Sequence, residues 1–181
     1  MIALDMGISP CPNDTFIFHA MIENLTDTMP FEFHPFFLDV QELNRLAFAK
    51  RFDITKLSFY AWLKLRDSYE ILDAGSALGR GCGPLLVARS ETLDLSTAKV
   101  AIPGELTTAF LLLQLWNPGI KNIEAARFDA ILSGVQTGRY DAGLSMKGDL
   151  SMKITVASKS LIWGTGGKMR RKCPSLWGAS P

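Results

Sequence analysis

Small polar residues gather at three places where an extended apolar segment gives way to helical spacing: Ser9 to Thr15 in "SPCPNDT", Thr55 to Ser58 in "TKLS", and Thr107 with Thr108 in "ELTTAF". The first turn of a helix leaves backbone N–H groups unpaired at its positive dipole end, so hydroxyls there can complete a site for a carboxylate or phosphate. Three such starts could face one cleft. Lys56 and Leu57 lie inside the second junction, where Lys56 would add a positive charge, and Asp39 and Asn44 could bind sugar-like hydroxyls. Ser9 and Asn13 frame the first junction, where Asn13 or Asp14 could cap the helix that follows. The same residue types also serve as plain N-caps, and Thr107 and Thr108 alone decide nothing.

Other chemistries find less support. "GSALGRGCG" (75–83) spaces Gly79, Gly81 and Gly83 like neither a Walker loop nor a dinucleotide fingerprint and reads as a tight crossover. Cys11, Cys82 and Cys173 form no CxxC pair and no Cys/His ligand spacing, so neither a zinc site nor a disulfide framework is expected. Cys11, restrained between two prolines, has no identifiable base beside it. His19 falls in a helical stretch and His34 in an extended one, where packing or surface roles are expected. Neither a cofactor nor a metal is called for.

The elements that must position these residues alternate. Strands are expected at 2–8, 31–38, 52–58, 69–75, 84–89, 99–104, 122–128 and 140–145, and helices at 15–24, 39–50, 59–69, 105–116 and 129–138. Pro35 marks its strand as an edge or a break, and Asp39 with Glu42 three residues on resembles a capping box. Such alternation implies an α/β fold with a largely parallel sheet and ligands at the carboxyl ends of the strands. The polar stretch near 90–98 is the expected lobe boundary, giving a first lobe over 1–93 and the start of a second over 94–144. Phe16, Phe18, Phe36, Phe37, Tyr60 and Trp62 are expected in the core.

With 48% apolar and 20% charged residues, the 181-residue chain has the composition of a globular protein. No run approaches a membrane span, and the N-terminus lacks a basic segment followed by an apolar one, so a cytoplasmic location with no membrane partner is expected. The net charge of +1 hides a split: residues 1–144 hold 12 Lys/Arg against 17 Asp/Glu, whereas 145–181 hold 7 against one.

The longer words are more specific. "GISPCPNDTFIF" resembles the N-terminal signature of the 1,4-dihydroxy-6-naphthoate synthase family of the futalosine route to menaquinone. The likeness continues through "DVQELNRLA", "ITKLSFYAW", "GSALGRGCGPLLVAR", "VAIPGELTTAFLLL" and "YDAGL", covering almost all of 4–144 in order. It implies a two-lobed, periplasmic-binding-protein-like (type 2) fold, incomplete at its C-terminus in this chain. It also implies a lyase that splits cyclic dehypoxanthine futalosine into 1,4-dihydroxy-6-naphthoate and dihydroxyacetone. Carried over by position, Lys56, Leu57, Ser58, Thr107 and Thr108 match substrate-contacting motifs, and Asp39 and Asn44 match polar cleft positions.

The likeness then breaks. After "DAGL" the family continues with a segment like Ile-Ile-His-Glu, whose histidine accepts the proton that starts cleavage. Here, around Ser145, Met146 and Lys147, the chain reads "SMKGD", and no histidine follows His34. Back-translated and read one base earlier, "SMKGDLSMKIT" and "LIWGTGGK" can spell His-Glu-Gly-Arg-Phe-Ile-Tyr-Glu-Asp-Tyr and Ile-Asp-Leu-Gly-Asp-Trp-Trp-Lys, both like the family's next segments. A frameshift near 142–145 is therefore expected, making 145–181 non-native and the fragment inactive, with apolar faces left uncovered. The basic Arg170, Arg171 and Lys172 then carry no expectation of nucleic-acid binding. A small-acid binding protein of the same fold, and a sibling menaquinone enzyme acting on a chorismate-derived acid, are the competing expectations.

Overall fold

A computed structural model describes residues 1–77, 83–90 and 92–146. The expectations for Gly79, Gly81, Lys147 and the rest of 147–181 lie outside the described residues.

The first lobe is built from β1 (Ile2–Ile8), α1 (Pro12–Ile22), β2 (Phe31–Phe37), α2 (Val40–Phe48), β3 (Ile54–Thr55) and α3 (Phe59–Leu65). Its sheet runs β2-β1-β3, all parallel, with Ile2 opposite Phe31, Ile8 opposite Phe37 and Met6 opposite Ile54. Pro35 sits opposite Met6 on the outer strand, where its missing N–H costs no ladder bond on the free side. Pro12 opens α1 at a position whose N–H has no intrahelical partner. Asp39 caps α2 by accepting from Gln41 N–H at 2.9 Å, as its spacing suggests. Glu42 does not close the box; it accepts from Arg45 Nε at 2.9 Å.

The second lobe contains β4 (Pro84–Ala88), β5 (Val100–Ile102), α4 (Thr108–Trp116), β6 (Ile123–Ala125), α5 (Phe128–Thr137) and β7 (Ala142–Met146). Its sheet runs β4-β7-β5-β6. β5 is parallel to β6 and β7, whereas β4 runs antiparallel to β7, so this sheet is mixed. β4 precedes residue 93 yet is hydrogen-bonded into the second sheet, and 69–75, expected as a strand, is irregular chain that bends at 73–75.

Alternation along β5 explains why this lobe holds together. Val100 and Ile102 point to one face, with Leu86, Leu113, Ile120 and Leu144, while Ala101 joins Ile131, Val135 and Tyr140 on the other. A Cβ on Gly143 would lie 2.5 Å from Ile131 Cγ2, so only glycine lets α5 settle this close to β7. In the first lobe Met6, Ile8, Leu43, Ala47, Phe52, Ala61 and Leu65 are buried.

The aromatic residues expected in the core are not fully buried. Phe16 is 86% exposed and Phe37 49%, Phe36 lies at the surface with the Arg51 guanidinium over its ring, and Phe18, Tyr60 and Trp62 are half-buried. For Phe16 and Phe18 the physical reason is that α1 buries Asp14 rather than an apolar stripe; Phe36 and Phe37 lie on the outer strand of the three-stranded sheet. Among the described residues nothing covers the apolar side chains of Phe16, Ile17, Leu25, Phe31 and Phe37 on the first lobe.

Candidate functional site

The loops that leave the carboxyl ends of β1, β2 and β3 open into a cleft of 1680 Å³. Ser9 to Asp14, Leu38 and Asp39, and Thr55 to Ser58 form its near wall; Thr108 and Arg127 to Asp129, at the starts of α4 and α5, line it from the second lobe. Carboxyl ends of parallel strands are where α/β folds gather ligand-binding loops.

Of the residues singled out from the sequence, Ser9, Asn13, Asp39, Lys56, Leu57, Ser58 and Thr108 line this cleft, whereas Asn44 and Thr107 do not. Asn44 is fully buried beneath it. Its Nδ2 donates to Ser58 Oγ at 3.0 Å and its Oδ1 accepts from Ser58 N–H at 2.9 Å, so it orients Ser58. Thr107 is the N-cap of α4: its Oγ1 accepts from Phe110 N–H at 3.3 Å and donates to Gly104 O at 2.7 Å. Thr108 Oγ1 accepts from Tyr60 N–H at 3.2 Å, so the second lobe supplies an acceptor to the first turn of α3.

The amides at these helix starts are thus less open to an anion than their sequence suggests. Ser58 N–H and Tyr60 N–H are taken by Asn44 and Thr108, and Phe110 N–H by Thr107. At the first junction Cys11 occupies the cap position without a side-chain bond, and neither Asn13 nor Asp14 caps α1. Asp14 folds back instead, its Oδ2 accepting from Ser9 N–H at 3.1 Å, while Ser9 Oγ accepts from Cys11 N–H at 3.3 Å.

Lys56 is not a free charge. Its Nζ donates to Gly75 O at 2.7 Å and stands 3.4 Å from Asp14 Oδ1. In the sequence Asp14 is a candidate cap for the helix that follows, and nothing local marks it as a partner of Lys56.

Tyr69 also faces the cleft. Burial pushes its phenol up, and the hydroxyl donates to Phe52 O at 2.9 Å. A smaller apolar pocket of 140 Å³ lies between α3 and α4, lined by Tyr60, Trp62, Leu63, Leu111, Leu112 and Thr108. His19 and His34 are both exposed and line neither pocket; His34 lies 3.8 Å from Asp5 and 3.5 Å from Glu32. Ser145 is buried in β7 opposite Leu85, and its Oγ has no hydrogen-bond partner among the described residues. Among the described residues no group of His, Cys, Asp and Glu could hold a metal, and no helix is long and apolar enough to cross a membrane.

Residues 4–159 match the family described as menaquinone biosynthesis, a span that runs past the expected break near 144. A 1,4-dihydroxy-6-naphtoate synthase of Thermus thermophilus is 46% identical over 144 residues, 80% of this chain and 52% of that protein. One of Streptomyces coelicolor is 37% identical over 146 residues, covering 78% and 51%. The chain therefore spans about half the length of these curated relatives. A crystal structure of an Archaeoglobus fulgidus protein superposes with a TM-score of 0.72 at 36% identity, covering 80% of this chain and 53% of that one. Arginine-bound ArgBP of T. maritima, at 16% identity and a TM-score of 0.53, covers 81% and 74% and shares the fold alone. Two α/β units around a cleft make this a periplasmic-binding-protein-like fold.

Proposed function

Because this chain belongs to the menaquinone biosynthesis family, we propose that its cleft is the substrate site of a carbon–carbon lyase acting on cyclic dehypoxanthine futalosine. The products of that reaction are 1,4-dihydroxy-6-naphthoate and dihydroxyacetone. The observation that carries the reading is the convergence of Ser9, Asp39, Lys56, Ser58 and Thr108, from both lobes, on one cleft. Hydroxyl and carboxylate groups suit a sugar-like fragment, while Phe18, Leu57 and Trp62 on the same walls suit a flat ring.

Cleavage of this kind starts when a general base removes one proton, and fixed donors stabilise the oxyanion that develops. The base expected near Ser145, Met146 and Lys147 is missing, and His19 and His34 stand away from the cleft. The 181-residue chain should therefore release no naphthoate. A version read one base earlier from about codon 144 should release it.

Product from the 181-residue chain would overturn the assignment of the essential base. Saturable binding without turnover by the restored chain would favour a small-acid binding protein, and turnover of a chorismate-derived acid would favour the sibling enzyme. Nucleotide sequence across codons 140–150, with an intact mass, tests the frameshift: an uninterrupted frame matching these 181 residues refutes a sequencing error.

A further inference from the structure

Asp14 is the charged residue that the described fold buries, at 4% exposure. A carboxylate taken out of water is costly unless paired and hydrogen-bonded, and removing one partner leaves the other stranded. Here both oxygens are engaged, Oδ2 by Ser9 N–H at 3.1 Å and Oδ1 by Lys56 Nζ at 3.4 Å. The same ammonium donates to Gly75 O at 2.7 Å. Gly75 has φ +82°, and the Phe18 ring stands 3.2 Å from where its Cβ would be. One carboxylate thus ties together the loop after β1, the residue after β3 and the chain leaving the first lobe, and all three line the cleft.

Resting on the substrate-site reading above, we propose that Asp14 is a positioning residue: it fixes the Lys56 ammonium in the cleft wall with its charge balanced. An ammonium has three donors: one goes to Gly75 O, and a second falls to the side of Asp14 Oδ1, an ion-pair partner 3.4 Å away. The third serves an uncharged oxygen of the ligand, a hydroxyl or carbonyl, rather than the carboxylate that an unpaired lysine would attract.

The test uses the 181-residue protein with Asp14→Asn, Lys56→Met and the double variant. Lysine acetylation read by mass spectrometry should be about tenfold slower at Lys56 than at the exposed Lys64, and Asp14→Asn should narrow that difference. Fluorescence titration with 1,4-dihydroxy-6-naphthoate should weaken about tenfold in Asp14→Asn, while 2-naphthoate, which lacks the hydroxyls, changes less than threefold.

The double variant removes the stranded cation. It should regain the wild-type unfolding midpoint but not the affinity for the dihydroxy ligand. Equal loss for both ligands, or full recovery of affinity in the double variant, would overturn the positioning role and leave a structural tie. If wild type binds neither naphthoate, the substrate-site reading fails. The tie is then judged by acetylation and by amide exchange at Gly75–Ala77, and unchanged protection in Asp14→Asn refutes it.

Discussion

Asn44 and Ser58 exchange two hydrogen bonds under the cleft: the side-chain amide donates to Ser58 Oγ at 3.0 Å, and its oxygen accepts from Ser58 N–H at 2.9 Å. The pair joins α2 to the start of α3, and it leaves the Ser58 hydroxyl proton available to the cleft. Asn44→Ala strands the Ser58 amide and opens a small void. It should cost about 2 kcal/mol in urea unfolding and speed amide exchange at Ser58. An unchanged urea midpoint would show that water replaces the side chain without loss.

Thr108 links the lobes by accepting from Tyr60 N–H at 3.2 Å. Thr108→Val keeps the shape and removes the acceptor, so exchange at the Tyr60 amide should accelerate and stability should fall by about 1 kcal/mol. Thr108→Ser should restore protection. Slow exchange at Tyr60 in the valine variant would mean that another group satisfies the amide.

Gly104 holds φ +149° in the turn before Thr107, and a Cβ there would collide with the Gln41 side chain from the opposite lobe. Gly104→Ala should destabilise by about 1–3 kcal/mol through backbone strain and steric conflict. Adding Gln41→Ala should recover only the steric part. Full recovery in the double variant would remove backbone strain from the account, and no loss in the single variant would refute both.

Glu124 is held at about 2, below the ordinary carboxylate value of 4.5, by the Lys99 ammonium, then by the Tyr140 hydroxyl and Arg139. A carboxylate with a depressed value stabilises the fold while ionised. Its contribution is complete above about 4.5 and fades as pH falls toward 2. Midpoint temperatures of wild type and Glu124→Gln should converge across that window and separate above it, less so at high salt because the group is partly open to solvent. A constant difference at all pH values would remove the ion pair from the explanation. Burial raises Tyr140, so its hydroxyl stays a donor to Glu124 Oε1, at 2.8 Å, throughout.

Local rules account for the elements that were legible. Asp39 caps α2 because an Asx side chain reaches the amide two residues on, and apolar β4 and β5 read as strands wherever they pair. Sequence and structure differ where a local pattern finds no non-local partner. The 69–75 segment has strand-like composition but gains no ladder, and Phe16 and Phe37 have core chemistry but no covering element among the described residues.

The amino-acid sequence by itself determined the alternation of strand and helix, the three polar junctions and the family to which the chain belongs, since these are carried by neighbouring residues and long specific words. The tertiary structure alone decided that β4 crosses into the second sheet and that Asn44 serves Ser58 rather than the cleft. It alone turned Lys56 from a free cation into the partner of Asp14. Those outcomes depend on which strands pair and which loops meet at their ends, and nothing in a residue's own neighbourhood encodes that choice.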